Sequence, residues 1–190
     1  MKPAILIIFA HPYPRKSRVN RAMIEAIKDL LHITVHDLYE TYPDFNIDVR
    51  YEQALLLRHQ VLVVQHPMYW YSCPALLKEW QDVVLEYGFA YGPTGTALQG
   101  KEWVQVISMG NPANTYRREG RNRFSVEEFL RPFEQTAHLC GMLYRTPFLV
   151  QGVFQVSPGQ VAHYAGNYRD FLDNYPLQGA APRQDERSEV

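Results

Sequence analysis

Apolar, strand-like segments alternate five times with helix-like segments along this chain. Residues 4–10 form a continuous apolar run rich in β-branched residues, which is typical of a strand buried on both faces of a parallel sheet. Apolar residues then recur at helical spacing over residues 19–31, behind Ser17 as a candidate N-cap. The alternation predicts an α/β fold, a doubly wound five-stranded parallel sheet with strand order 2-1-3-4-5.

The remaining elements follow from the same patterns. Strands are predicted at residues 33–38, 61–65, 103–108 and 142–150, and helices at residues 48–59, 75–87, 125–139 and 158–175. A length of 190 residues favours one domain. We assign residues 1–175 to that domain and residues 176–190, rich in Gln, Pro and charge, to a disordered tail.

Composition narrows the class of protein. The net charge of −1 gives no drive towards nucleic acid. The two cysteines, Cys73 and Cys140, form no CxxC pair, which suits a reducing cytoplasm and buried structural roles. No apolar run is long enough to span a membrane, so any membrane association is expected to be peripheral.

Three loops are expected at the carboxyl edge of the sheet, where ligands bind in folds of this kind. The first, residues 11–17, ends at a helix N-terminus whose amides and dipole favour an anion such as phosphate. Ser17 and Asn20 could add hydrogen-bond donors, and the neighbouring basic residues could steer the phosphate. On spacing alone, Ser17 could equally be only a cap, Asn20 could face solvent, and the basic cluster could be a solvated surface.

The second loop places Met68 and three aromatic residues, Tyr69, Trp70 and Tyr71, directly after a buried strand. A flat ring system could stack there, or the loop could pack on the protein or on a dimer partner. In the third loop, residues 110–112 (Gly-Asn-Pro) allow a ligand close to the backbone, although a plain turn explains them as well. Tyr116 could donate a hydrogen bond to a bound ring or simply pack.

Several common sites are disfavoured. The sequence has neither G-x-G-x-x-G nor G-x-x-x-x-G-K-[ST], which argues against a dinucleotide-binding Rossmann site and an NTPase. His32 and His36 lack a third ligand nearby in the sequence, so we expect no metal site.

Four stretches together carry a family resemblance: Ala10-His11-Pro12, Ser17 with Asn20, residues 65–80 and residues 88–92. They resemble the NAD(P)H:quinone oxidoreductase family, which implies a flavodoxin-like fold. Residues 37–39 and 42–48 further resemble bacterial ancillary proteins of glutathione-regulated potassium-efflux systems, especially those that partner the KefB transporter. The resemblance extends from about Ile5 to Phe148.

The resemblance implies FMN or FAD as cofactor, NAD(P)H as co-substrate and a quinone as acceptor, with hydride passing through the flavin. It also implies a homodimer with the site at its interface. A dimer would cover the aromatic residues of loops 67–71 and 88–100, which would be exposed to solvent in a monomer. The first loop would hold the flavin phosphate, and the other two would line and close over the isoalloxazine ring. The implied cofactor-binding residues are His11, Ser17, Arg18, Val19, Asn20, Pro67, Met68, Tyr69, Trp70, Met109, Gly110, Asn111 and Pro112.

Two positions bear on catalysis. Tyr116 matches a family tyrosine that helps stabilise charge on the reduced flavin, while Asn122 stands where a histidine is usual. Asparagine cannot exchange a proton as histidine can. Two hypotheses follow: a cytoplasmic quinone reductase that also regulates a potassium-efflux transporter at the inner membrane, or a flavin-binding regulatory module with little turnover. A one-electron flavodoxin carrier is disfavoured because the first loop is not rich in Ser, Thr and Gly.

Overall fold

The computed structural model describes residues 2–176. Its five strands are β1 (Ile5–Phe9), β2 (Ile33–Asp37), β3 (Val61–Pro67), β4 (Glu102–Ser108) and β5 (Leu143–Val150). They form one sheet of order β2-β1-β3-β4-β5, and all four pairings are parallel. The predicted doubly wound flavodoxin-like fold is confirmed.

Six helices connect and cover the strands: α1 (Arg18–Glu25), α2 (Leu38–Thr41), α3 (Val49–Arg58), α4 (Ala75–Val84), α5 (Val126–Leu139) and α6 (Pro158–Asp173). None of the helices in this described part of the chain combines the length and apolar character needed to cross a bilayer. The predicted disordered tail lies outside the described residues from position 177 onward, and the assignment of residues 1–175 to one domain stays a prediction.

Side chains of the buried strands alternate between two cores. Ile5, Ile7 and Phe9 of β1 pack with α1 and α6, whereas Leu6 and Ile8 pack on the opposite face with helices α2 to α5. This alternation follows from the two-residue repeat of a strand. Because both faces are covered, the central strands are continuous apolar runs, as the sequence indicated.

The first helix is shorter than predicted. α1 ends at Glu25, and residues 26–29 continue as turns instead of reaching residue 31. The chain must reverse there to enter β2, and the backbone N–H of Ile33 donates to the carbonyl of Leu30 (3.0 Å). Leu31, expected on the apolar face, is therefore fully exposed.

A buried carboxylate joins β2, α2, α3 and α4. Glu52 is completely buried and accepts hydrogen bonds from His36 Nε2 (2.6 Å), Tyr42 Oη (2.6 Å) and Trp80 Nε1 (2.7 Å). A buried carboxylate is stable only when its oxygens are satisfied in this way. These contacts fix the helices on the face of the sheet that carries the larger core.

Replacing Glu52 should strongly destabilise the fold, because three buried donors lose their acceptor together. We expect Glu52→Ala to lower the free energy of unfolding by about 3–5 kcal/mol, measured by urea denaturation. Tyr42→Phe removes one of the three donors and should cost only about 1 kcal/mol. Equal losses in the two variants would contradict a shared carboxylate.

Candidate functional site

A cavity of ≈ 550 Å³ opens at the carboxyl edge of the sheet. It is lined by His11, Tyr13, Lys16, Ser17, Arg18, Val19, Pro67, Met68, Tyr69, Ser108, Gly110, Val153 and Phe154. The chain leaves β1 towards α1 on one face of the sheet and leaves β3 towards α4 on the other. The cavity therefore lies at the switch point where ligands bind in this architecture.

A second cavity of ≈ 440 Å³ adjoins the first. Its lining residues are Met68, Tyr69, Trp70, Tyr71, Gly110, Asn111, Tyr116 and Phe154. Met68, Tyr69, Gly110 and Phe154 line both cavities, so the two form one elongated site. One end is basic and hydroxyl-bearing, and the other is aromatic.

The basic end lies at the N-terminus of α1. Ser17 Oγ accepts from the backbone N–H of Asn20 (3.3 Å) and from Asn20 Nδ2 (2.9 Å), which uses its lone pairs and leaves its proton to donate. Lys16 and Arg18 supply positive charge, and the described lining contains no acidic side chain. These features suit a phosphate group.

The structure places the Asn20 side chain neither in the cavity, as a donor to phosphate, nor in solvent, which were the two expectations from the sequence. Its side chain is buried, and Nδ2 donates to Ser17 Oγ and also to Ser108 Oγ (2.8 Å). Its Oδ1 accepts from Gln65 Nε2 (3.2 Å), and Gln65 Oε1 accepts from Tyr168 Oη (2.8 Å). Asn20 therefore neither faces solvent nor lines the cavity. It orients the two hydroxyl groups that do.

His11 is buried at the wall of the first cavity. Its Nδ1 accepts from the backbone N–H of Tyr13 (3.1 Å), so the neutral ring carries its proton on Nε2. Burial lowers the pKa of His11, which favours this neutral form. His11 can thus donate a hydrogen bond without adding charge.

The aromatic loop is a tight turn. Tyr69 and Ser72 exchange backbone hydrogen bonds (3.3 and 2.9 Å), and the two central residues have positive φ, 49° at Trp70 and 64° at Tyr71. Both positive values define a type I′ turn, which normally carries Asn or Gly. The turn presents Trp70 with 93% of its surface exposed at the cavity wall.

Phe129 of α5 anchors three parts of the aromatic end. The ring of Tyr71 stacks on it at a centroid distance of 5.0 Å, and Tyr116 and Phe124 contact it edge-on at 6.4 and 5.8 Å. Burial raises the pKa of Tyr116, which keeps its hydroxyl protonated.

The third loop contributes mainly backbone. A Cβ on Gly110 would lie 2.4 Å from Phe154 Cε2, so only glycine lets this ring close on the loop. Asn111 lines the aromatic end. Met109 is fully buried beneath the site, where its N–H donates to the carbonyl of Val150, and Pro112 is exposed outside both described linings.

Asn122 also lies outside both linings. It is buried, its backbone N–H donates to the Thr115 carbonyl (3.0 Å), and its Nδ2 donates to Thr115 Oγ1 (3.0 Å). These contacts close the loop that follows Tyr116. The catalytic assignments of Tyr116 and Asn122 stay predictions.

Sequence reasoning missed the fourth loop at this edge. Val153 and Phe154 follow β5 and line the cavity, and Ser108 lines it from the end of β4. The available signal was Gly152-Val153-Phe154, which begins two residues after the last predicted strand, since every parallel strand ends at the same edge. Arg18 connects this segment to α1 by donating from Nη2 to the carbonyl of Val156 (2.7 Å).

The fold and this site define a class of protein. A family profile described as a flavodoxin-like fold matches residues 3–172, and the chain belongs to that family. The glutathione-regulated potassium-efflux system ancillary protein KefG of Serratia proteamaculans is 50% identical over 172 residues, covering 90% of this chain and 94% of the relative. KefG of Erwinia tasmaniensis is 47% identical with the same coverage. The resemblance inferred from sequence is confirmed.

Solved structures with the same fold are similar to this chain in sequence as well. The general stress protein 14 of Treponema denticola, in complex with FMN, shares 44% identity with a TM-score of 0.87, covering 93% of this chain and 100% of that chain. An NADPH-quinone reductase from P. pentosaceus shares 32% identity with a TM-score of 0.83 and the same coverage.

His66 lies at the end of β3 and contacts the first residue of the aromatic loop. It is fully buried beside Phe133, and its Nδ1–H donates to the carbonyl of Pro67 (2.9 Å), the residue that enters the aromatic loop. Its Nε2 lies 3.2 Å from the side-chain amide of Gln105. Burial lowers the pKa of His66 from 6.5 to about 4.

This shift predicts an acid-sensitive fold. Unfolded chains take up the proton near pH 6.5, whereas folded chains resist it down to about pH 4, so stability should fall as the pH drops through this window. We expect a loss of about 3 kcal/mol from this group, measured by urea denaturation at several pH values. The free energy of unfolding of His66→Gln should depend on pH less than that of the parent, by the same amount. Identical pH dependence in the two proteins would refute a role for His66 in the acid sensitivity.

Proposed function

We propose that this protein binds FMN in the elongated site and is an NAD(P)H-dependent quinone reductase. The observation that carries the proposal is the site itself, which joins a basic, hydroxyl-bearing end to an aromatic end across Gly110. FMN has the same division between a phosphate and a flat ring. FAD shares both groups and is the alternative cofactor.

The described side chains fit such a ligand. Ser17 and Ser108 each hold a hydroxyl that accepts from Asn20 and can donate into the cavity, and Lys16 and Arg18 balance the phosphate charge. Val19 contributes to the same wall from the first turn of α1. In this turn the N–H of Asn20 donates to Ser17 Oγ, whereas the N–H groups of Arg18 and Val19 have no carbonyl partner within the helix and suit an anion.

The aromatic end would hold the ring system. Met68, Tyr69, Trp70, Gly110 and Asn111 line this end, and Pro67 lines the adjoining first cavity. When bound, the flavin supplies the chemistry, accepting hydride from NAD(P)H and passing it to a quinone. The chain would position the ring and place the protonated Tyr116 hydroxyl at the wall.

We further propose that a second copy of the chain covers this site. Trp70 and Phe154 line it with 93% and 85% of their surfaces exposed, and large exposed rings grouped in this way mark an interaction surface. A homodimer would bury them and complete the wall of the aromatic end.

A second function is regulatory. Relatives of about half identity are named as ancillary proteins of a glutathione-regulated potassium-efflux system. We propose that this cytoplasmic protein supports such a transporter, of the KefB type, at the cytoplasmic face of the inner membrane. Enzymatic turnover and regulation are compatible, and turnover is the one that the site geometry supports.

Removal of the Ser17 hydroxyl tests the phosphate end. We expect Ser17→Ala to weaken FMN binding by about tenfold, the effect of one lost charge-assisted hydrogen bond. Riboflavin lacks the phosphate and should bind nearly as before. Fluorescence titration of the apoprotein with each flavin measures the affinity ratio.

Ser157→Ala is the matched control. Ser157 caps α6 as Ser17 caps α1, its Oγ accepting from the N–H of Gln160, but it lines neither cavity. Both variants should lose about 1 kcal/mol of stability, and only Ser17→Ala should change the FMN-to-riboflavin ratio. An unchanged ratio would make Ser17 a cap alone.

Turnover is tested on the flavin-loaded protein. Anaerobic NADPH or NADH should bleach the visible absorbance of the oxidised flavin, and a benzoquinone should restore it. Trp70→Ala should weaken FMN and riboflavin binding alike, because the lost contact is to the ring. If the protein takes up FMN but neither NADPH nor NADH reduces the bound flavin, only the regulatory function would remain supported.

A further inference from the structure

Four arginines follow directly after Tyr116 of the cavity wall. All of them are exposed: Arg117, Arg118, Arg121 and Arg123. Glu119 is the acidic residue within this stretch, so residues 117–123 carry a local charge of +3, four cations less one anion, on a chain of net charge −1. We call residues 113–124 the arginine loop.

The arginine loop is folded on itself. Asn122 holds Thr115 through two hydrogen bonds of 3.0 Å, and the N–H of Gly120 donates to the Arg117 carbonyl (2.8 Å). A Cβ on Gly120 would lie 2.4 Å from the Thr115 carbonyl oxygen, so this closure requires glycine. The loop thus has a defined shape without using its cationic side chains.

The four guanidinium groups of the arginine loop are available to bind an anion. Within residues 2–176, the structure shows no ion pair or side-chain hydrogen bond for any of the four arginines. The nearby Glu128 is engaged at the start of α5, where it accepts from the backbone N–H of Ser125 (2.8 Å). Glu119 and Glu127 are exposed and offset part of the positive charge.

Both ends of the loop are fixed to the aromatic end of the site. Tyr116 near its start and Phe124 at its end contact the same ring, Phe129, on which Tyr71 of the aromatic turn stacks. The arginines lie in the loop between Tyr116, which lines the second cavity, and Phe124, and are exposed next to that part of the cavity wall in the sequence.

A pyridine nucleotide must place its nicotinamide at that ring, and its adenosine half then extends outward across the mouth. NADPH differs from NADH by one phosphate on the adenosine ribose. Guanidinium groups bind phosphate oxygens in pairs of parallel hydrogen bonds. In nucleotide sites generally, an arginine accommodates the 2′-phosphate, whereas an acidic residue binds the free ribose hydroxyl.

We propose that the arginine loop binds the 2′-phosphate of NADPH and makes this co-substrate preferred over NADH. The inference rests on the proposed function for its kinetic consequence. It assigns Asn122 the role of a positioning residue for the loop.

Binding is tested with nucleotide fragments on the flavin-loaded protein. Isothermal titration compares 2′,5′-ADP, which carries the extra phosphate, with 5′-AMP, which does not. The variants are the pairs Arg117→Gln with Arg118→Gln, and Arg121→Gln with Arg123→Gln. The control pair, Arg50→Gln with Arg58→Gln, removes the same charge from exposed positions of α3.

We expect the parent protein to bind 2′,5′-ADP more tightly than 5′-AMP, and at least one loop pair to reduce this ratio by about tenfold, as for one lost charge-assisted hydrogen bond. The ratio of kcat/KM for NADPH over NADH should fall in parallel. The control pair should leave both ratios unchanged.

Three outcomes would overturn the proposal: a parent that binds both fragments equally, loop pairs that leave the ratios intact, or a control pair with the same effect. The first would show that the loop does not bind the 2′-phosphate. Failure of the proposed function is distinguishable, because a protein that prefers 2′,5′-ADP but is reduced by neither nucleotide retains the phosphate site without turnover.

Discussion

The parallel pairing of β1 with β3 is the constraint on which the site depends. Ile5 to Phe9 run in register with Val61 to Gln65, so both strands end at the same edge of the sheet. Since the helices that follow them lie on opposite faces, the two loops must diverge. The cavity is the space left by that divergence, and the cores on both faces keep it open.

A chain of buried polar groups carries this geometry from the sheet to the cavity. Gln65 on β3 links Tyr168 of α6 to Asn20 of α1, and Asn20 holds the hydroxyls of Ser17 and Ser108. Each group has a partner, which a buried polar network needs in order to stabilise a fold. The hydroxyl groups thus face the cavity in fixed positions before any ligand enters.

The sequence was sufficient for the fold because buried parallel strands are continuous apolar runs and their helices have clear caps. It was also sufficient to place Ser17, Met68 and Gly110, since each follows a predicted strand. It could not show that Asn20 turns inward, because that depends on side chains of β3 and β4. Phe154 was missed because the last loop was not included with the others. The hydrogen bond of Asn122 to Thr115 was also not predictable, because the two side chains meet only when the loop closes.

The left-handed turn at Trp70 and Tyr71 has a consequence for how this protein can change. Each non-glycine residue in that conformation costs about 1 kcal/mol or more, so Asn-Gly would relieve strain at both positions. The Tyr71 ring offsets part of this cost by stacking on Phe129, whereas Trp70 is almost fully exposed. Selection for thermal stability alone would therefore favour losing the Trp70 ring. Both rings line the second cavity, so under the proposed function backbone stability and ligand contact are opposed there, and thermostabilising designs should leave these two residues unchanged.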